Sequence, residues 1–191
     1  IYIRPDELQL SRGESIKDTA KVLDRYYNGL FIRPASGTGQ DRVNEFAEHM
    51  RIPVINACSD FTHPCQGLAD LLTIWEKKGR FKGLKLAWSG DPWNVCHSLM
   101  VGCGLLGIDM YMAFPKGYDP HPTVLRFASE AAAANKTKMV VTRKLEEAVE
   151  YLAPSLNGGN LNVRAAVASC LGHIGTQKAI RAIAKAFESC S

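Results

Sequence analysis

The sequence lacks long apolar runs and paired cysteines. Its six cysteines are scattered over 191 residues without one C-x-x-C pair, a distribution typical of a reduced chain and unlike a disulfide framework or a zinc site. No apolar stretch reaches the roughly 20 residues of a membrane helix, and the first residues lack the basic and then apolar layout of a secretory signal. We therefore expect a cytoplasmic chain without a membrane partner.

The charge is too evenly spread to indicate a nucleic-acid partner. The 23 lysines and arginines exceed the acidic residues by only four, and they form no basic block of the kind that nucleic-acid-binding domains carry. Common catalytic patterns are missing as well: the loop at residues 89–94 lacks G-x-G-x-x-G, and neither G-x-S-x-G nor a metal-ligand spacing occurs. Any catalysis would therefore rest on positioning and electrostatics.

What the sequence does contain is an alternation of helical and strand patterns. Apolar spacing and a capping residue, Ser15, predict a helix at residues 15–27 and then a buried strand at residues 30–32. The alternation continues with predicted helices at 40–49, 63–77, 94–106 and 123–135 and predicted strands at 53–56, 84–88, 109–114 and 138–142. It predicts an α/β fold of two parallel sheets wrapped by helices.

The two ends of the chain depart from this alternation. The chain opens without Met inside a predicted strand at residues 1–3, so we expect the natural start to lie upstream. Residues 151–191 keep helical spacing and resemble a single HEAT-type repeat, which predicts a short all-α tail. One repeat cannot bury its own apolar face, so the tail is expected to dock on the α/β part or on a protein partner. A break near residues 77–82 predicts a boundary between the two sheets.

Polar side chains follow the predicted strands at the edge where open α/β sheets bind ligands. Arg33 follows the strand at 30–32 and offers a cationic fork for a phosphate or a carbonyl oxygen, although a solvated loop arginine is an equal alternative. His63 and Gln66 lie one helical turn apart after the strand at 53–56, and a simple helix cap is the alternative for His63. Asn94 follows the strand at 84–88.

The segment H-P-C-Q-G-L-A-D-L-L-T-I at residues 63–74 resembles the motif of ornithine carbamoyltransferases. Residues 9–20, the strand ending at Arg33 and residues 90–98 agree with that family in order and spacing, so the resemblance covers roughly the first three quarters of the chain. It implies an incomplete transcarbamylase-like fold, with a partial carbamoyl-phosphate-binding domain at residues 1–77 and a partial ornithine-binding domain at residues 83–150.

The resemblance also implies a reaction and roles for five residues. Arg33 and His63 would bind the carbonyl oxygen of carbamoyl phosphate as the catalytic pair, Gln66 would hold its amino group, and Asn94 would bind ornithine. Gln9 matches a residue that reaches the neighbouring subunit's carbamoyl phosphate site, which implies a homotrimer. The implied reaction forms citrulline and phosphate, belongs to arginine biosynthesis, and requires neither a metal nor an organic cofactor.

Several motifs of that family are absent from this sequence. They are the phosphate-binding Ser-Thr-Arg-Thr, which precedes the equivalent of Ile1, the later Ser-Met-Gly and the His-Cys-Leu-Pro loop. Losing one preorganised donor costs about a hundredfold to a thousandfold in rate, so we expect the isolated chain to be inactive. The alternative is a non-catalytic interaction or scaffold protein, derived from a transcarbamylase, that binds a partner through its tail.

Overall fold

Helices and strands alternate throughout the computed structural model, which describes residues 1–34, 39–144, 147 and 181. The helices are α1 (Ile16–Tyr26), α2 (Gly39–His49), α3 (Pro64–Lys78), α4 (Asn94–Leu106) and α5 (Pro122–Ala134). The strands are β1 (Leu30–Ile32), β2 (Val54–Asn56), β3 (Lys85–Ser89), β4 (Asp109–Ala113) and β5 (Met139–Thr142). None of the helices within these residues is long and apolar enough to cross a bilayer.

The strands form two parallel sheets. In the first, β1 pairs with β2; in the second, β4 lies between β3 and β5 and pairs in parallel with both. The predicted α/β class with two parallel sheets is therefore confirmed. The predicted tail at residues 151–191 lies outside the described residues apart from the single residue 181. The three-part domain division at 1–77, 83–150 and 151–191 stays a prediction.

The strand predicted at residues 1–3 is wrong. These residues have no regular structure, and two short 3₁₀ helices follow at Pro5–Glu7 and Gln9–Arg12. Ile1 and Tyr2 are exposed, and only Ile3 packs against the core. An apolar triplet forms a strand only where a neighbouring strand receives its backbone hydrogen bonds, and no strand of the described chain pairs with residues 1–3.

The first compact unit contains residues Ile1–Asp70 and Trp93–Ser98. Its core is built by α1 and α2, which bury Ala20, Leu23, Phe46 and Met50 against the apolar side chains of β1 and β2. Helix α1 begins where the sequence predicts, because the Ser15 hydroxyl accepts a hydrogen bond from the Asp18 backbone N–H at 3.1 Å. The packing of α1 and α2 against β1 and β2 holds the carboxyl ends of the two strands in place.

The second compact unit contains Leu71–Pro92 and the residues from Leu99 onward. Its central strand, β4, is the most deeply buried element: Met110 and Met112 have no exposed surface. Helices α4 and α5 approach each other at Gly104, where a Cβ atom would lie 2.6 Å from the Ala128 carbonyl oxygen. Burial of the kind seen in β4 is typical of the middle strand of a parallel sheet.

A charged contact holds α1 to the chain segment that leads into β2. The Asp24 side chain, only 7% exposed, accepts hydrogen bonds from the Arg51 Nε at 2.8 Å and from the backbone N–H groups of Arg51 and Ile52 at 2.7 and 3.1 Å. These bonds, led by the one from the Arg51 side chain, lower the pKa of Asp24 below its ordinary value of 3.8. The charged carboxylate is therefore the form that the folded state prefers.

This contact predicts an acid-dependent loss of stability. Because the folded pKa is lowered, the stabilisation is complete above the unfolded pKa and is lost as the pH falls through the folded value. We expect urea denaturation followed from about pH 7 to about pH 3 to show less acid dependence for Asp24→Asn than for the unchanged chain. Asp41→Asn is the control, since Asp41 is exposed and makes no ion pair in the part of the chain described. Equal slopes for the two variants would contradict the assignment.

Candidate functional site

The carboxyl ends of β1 and β2 lie side by side and place Arg33 beside the segment that leads to His63. Ile32 is paired with Asn56, and the Ala57 backbone N–H donates to the Ile32 carbonyl at 2.8 Å. The ladder therefore holds the backbone up to the residue before Arg33. The Arg33 side chain is exposed, and its guanidinium forms no ion pair or hydrogen bond within the described residues, so it is available to a ligand.

His63 precedes the first residue of α3 and is held from two sides. Its backbone N–H donates to the Ser98 hydroxyl at 2.9 Å and to the Asn94 carbonyl at 3.2 Å. Its ring Nδ1 accepts the backbone N–H of Gln66 at 3.3 Å. The helix cap is therefore present, and it has a chemical consequence: when Nδ1 of a neutral imidazole accepts, the hydrogen is on Nε2. The cap thus leaves Nε2 as a hydrogen-bond donor.

Gln66 lies one turn after His63 on α3, as its spacing predicts. Its side chain is exposed, and its amide Nε2 donates to the Asp70 Oδ1 at 2.9 Å along the same helix. That contact is between exposed groups and contributes little to stability. Gln66 can therefore exchange it for a contact with a ligand at low cost.

Asn94 is engaged within the first unit. Its Nδ2 donates to the Ser59 carbonyl at 2.7 Å, and its Oδ1 accepts the backbone N–H of Val95 at 2.8 Å. These bonds tie the start of α4 to the turn after β2, close to His63. The Asn94 Oδ1 accepts one hydrogen bond here and has a second lone pair for a donor of a second substrate. Its predicted role in binding ornithine stays a prediction.

Gln9 opens the second 3₁₀ helix, and its exposed side chain accepts from Arg12 Nη1 at 3.4 Å. Within the residues that the structure describes, Gln9 has no hydrogen bond to Arg33, His63, Gln66 or Asn94. The fold thus links His63, Gln66 and Asn94 directly, places Arg33 on the neighbouring strand end, and leaves Gln9 facing solvent. All five site assignments stay predictions.

A polar cluster beneath the site was missed by the sequence analysis. Asn56, the last residue of β2, donates through Nδ2 to the hydroxyls of Ser59 and Thr62, both at 3.0 Å. These hydroxyls in turn donate to the Gln40 Oε1 at 2.9 and 3.2 Å. The only signal in the sequence is an asparagine that ends an apolar strand and precedes a Ser-Asp-Phe-Thr turn.

Two of the free cysteines, Cys96 and Cys103, are unsuited to act as nucleophiles. Cys96 and Cys103 are fully buried, and desolvation raises the pKa of the Cys103 thiol to about 12, so it stays protonated at neutral pH. Among the described residues, no three His, Cys, Asp or Glu side chains are grouped so that they could hold a metal ion.

Comparisons with protein families give two matches that follow each other along the chain. Residues 1–76 match the family described as the aspartate/ornithine carbamoyltransferase carbamoyl-P binding domain. Residues 82–153 match that described as the Asp/Orn binding domain of the same enzymes. The order of the two matches is the order that the resemblance of residues 63–74 implies.

Individual relatives carry the same family name. The chain is 47% identical over 133 residues to the ornithine carbamoyltransferase of Pyrococcus horikoshii, covering 70% of this chain and 41% of the relative. It is 46% identical over 149 residues to that of Carboxydothermus hydrogenoformans, covering 78% and 47%. The solved ornithine carbamoyltransferase of Pyrococcus furiosus is 43% identical with a TM-score of 0.73, covering 78% and 47%. The chain spans about half the length of the curated relatives it matches.

Proposed function

Because the chain belongs to the aspartate/ornithine carbamoyltransferase family, we propose that it carries the carbamoyl-binding part of an ornithine carbamoyltransferase. The proposed reaction moves the carbamoyl group from carbamoyl phosphate to ornithine, giving citrulline and phosphate in arginine biosynthesis. The observation that carries this proposal is the pair of donors at one sheet edge: the exposed Arg33 guanidinium and the Nε2–H that the helix cap leaves on His63.

The proposed step needs these donors and no metal or organic cofactor. The neutral δ-amine of ornithine forms a C–N bond to the carbamoyl carbon, and the carbonyl oxygen becomes negatively charged in the tetrahedral intermediate. The bond from carbon to the phosphate oxygen then breaks, phosphate leaves with the electron pair, and the amine loses a proton. Arg33 and His63 donate to the oxygen on which charge develops, and such donors act most strongly in the transition state.

The other predicted residues have supporting roles in the proposal. Gln66 accepts from the carbamoyl amino group through Oε1 while its Nε2 donates to Asp70, and Asn94 contacts ornithine through the second lone pair of its Oδ1. Gln9 extends into the site of a neighbouring subunit in a homotrimer, and its exposed side chain is compatible with that role. These assignments follow from the family motif and the positions of the side chains.

The proposal is tested with phosphonoacetamide, a stable analogue in which a methylene group replaces the bridging anhydride oxygen of carbamoyl phosphate. Calorimetry should detect its binding to the purified chain, and amide NMR signals of His63 and Gln66 should shift during the titration. A phosphonoacetyl derivative of ornithine should bind more tightly than the same derivative of aspartate. Carbamoyl phosphate with ornithine, assayed for citrulline, measures turnover.

The outcomes separate the parts of the proposal. Absence of heat and of signal changes at millimolar phosphonoacetamide would overturn carbamoyl binding. Binding of phosphonoacetamide together with a preference for the aspartate derivative would overturn the choice of ornithine. Binding without citrulline would support carbamoyl binding and would contradict turnover by this chain on its own.

A further inference from the structure

The cluster formed by Asn56, Gln40, Ser59 and Thr62 connects the sheet to the site. The Ser59 backbone N–H donates to the Thr62 carbonyl at 2.9 Å, and the Thr62 backbone N–H donates back to the Ser59 hydroxyl at 3.0 Å. This closes a turn that leads directly into His63. The carbonyl of Ser59 also accepts the amide of Asn94. The turn therefore carries one site residue and anchors another.

The side chain of Asn56 holds this turn by hydrogen bonds. Its two Nδ2 hydrogens have the two hydroxyl oxygens of the turn as acceptors, at 3.0 Å each. Both hydroxyls then have Gln40 Oε1 as their acceptor, while the Gln40 Nε2 donates to Asn44 at 3.0 Å. The Asn56 Nδ2 also lies 3.3 Å from the Gln40 Oε1 and 3.4 Å from the Thr62 carbonyl, and the Ser59 hydroxyl lies 3.1 Å from that carbonyl. The turn is therefore held by several side-chain hydrogen bonds at once.

Stability alone does not explain an asparagine at this position. The Asn56 Oδ1 is buried and has no hydrogen-bond partner, the one such side-chain oxygen or nitrogen among the residues the structure describes. A buried acceptor without a partner costs free energy, whereas an apolar replacement of similar shape would avoid that cost. The donor end of the same side chain is fully used. Position 56 therefore keeps a donor in spite of a penalty on its acceptor.

We propose that Asn56 is a positioning residue that sets the turn at residues 59–62, and through it His63, in the geometry that binds the carbamoyl group. The choice of ligand rests on the proposed function, whereas the hydrogen exchange of the His63 amide tests the positioning without any ligand. Asn56 acts through Ser59 and Thr62 and needs no contact with the substrate. Asn56 also lies close to the other predicted donor, because it is paired with Ile32, the residue before Arg33.

The test replaces Asn56 by aspartate, which keeps the shape but removes both donor hydrogens. Phosphonoacetamide should bind the Asn56→Asp variant about tenfold more weakly or worse. The His63 amide should also exchange its hydrogen with solvent faster, because its bond to Ser98 depends on the turn. Asn44→Asp is the matched control: it introduces the same charge one helical turn from Gln40, keeps the acceptor, and should leave both measurements unchanged.

A second pair of variants covers the case in which Asn56→Asp does not fold. Thr62→Val removes one hydroxyl of the network and should weaken binding and speed His63 exchange, while Thr62→Ser should restore both. Equal binding and equal His63 exchange in Asn56→Asp and Asn44→Asp, or a valine variant that behaves as the serine variant, would overturn the inference. If the unchanged chain binds no analogue, the proposed function fails, and His63 exchange still decides the positioning role.

Discussion

Replacing Arg33 by alanine should weaken phosphonoacetamide binding by about tenfold to a hundredfold, the usual effect of losing a charge-assisted hydrogen bond. In an assembled enzyme that turns over, the same change should cost about a hundredfold to a thousandfold in rate. The free energy of unfolding should change by less than about 0.5 kcal/mol, because the guanidinium is exposed and makes no ion pair in the described chain. Calorimetry and urea denaturation on one preparation measure both.

Two further variants show why the effect is specific. Arg33→Lys keeps the charge but loses the planar fork of donors, so its binding should fall between that of the unchanged chain and Arg33→Ala. Arg25→Ala is the control: Arg25 is exposed in the last turn of α1, at the opposite end of β1 from Arg33. Equal losses in Arg25→Ala and Arg33→Ala would reduce the effect to overall charge and would count against a carbonyl-binding arginine.

Replacing Gly67 by alanine should impair both stability and binding. Gly67 lies in the first turns of α3, and an added Cβ would come within 2.9 Å of the Ser98 Cβ in α4. Overpacking of this kind costs about 1–3 kcal/mol, whereas alanine in a helix gains roughly 0.5–1 kcal/mol over glycine. The two ranges leave a net loss between about 0 and 2.5 kcal/mol, and their midpoints give a loss of about 1 kcal/mol.

The loss of binding follows from what Ser98 does. The Ser98 hydroxyl accepts a hydrogen bond from the His63 backbone N–H. If Ser98 moves away from Gly67, the contact that orients His63 moves with it. A displacement of about 1 Å can cost a hundredfold in a preorganised site, and we expect phosphonoacetamide to bind at least about tenfold more weakly. Thermal unfolding and calorimetry measure the two effects.

Gly29→Ala is the matched control for this prediction. At Gly29 the nearest atom to an added Cβ is the Pro53 carbonyl oxygen at 3.7 Å, an ordinary contact, and its backbone is not left-handed. Stability and binding should both stay close to those of the unchanged chain. A Gly67→Ala variant that matches Gly29→Ala in both measurements would show that α3 and α4 can separate freely at this point.

The sequence predicts the regular elements well because their signals are local. The strand at Leu30–Ile32 and the helix at Asn94–Leu106 begin and end where the periodicity places them. The prediction at residues 1–3 failed because a strand also needs a partner, and pairing is not a property of three residues. Ends of elements shifted by a residue or two elsewhere, as with the helix that ends at Lys78.

The candidate site was only half accessible to the same reasoning. Arg33, His63 and Gln66 follow from strand ends and from helical spacing, and the family motif adds their roles. The cluster beneath them joins Gln40 to Thr62, 22 residues away, and Ser59 to Asn94, 35 residues away. No periodicity links such positions, because the fold alone brings them together. The engagement of Asn94 was therefore not predictable either.

The contact of Asp24 with Arg51 and Ile52 lies at the amino ends of β1 and β2, since both partners precede their strands. Arg33 and His63 follow the carboxyl ends of the same strands. Because parallel strands run in one direction, the Asp24 contact and the proposed ligand-binding residues lie at opposite ends of one small sheet. Substitutions at the Asp24 end of the sheet can therefore change the stability to acid or heat without altering the residues at the carboxyl ends. Stability and ligand binding can thus change independently of each other.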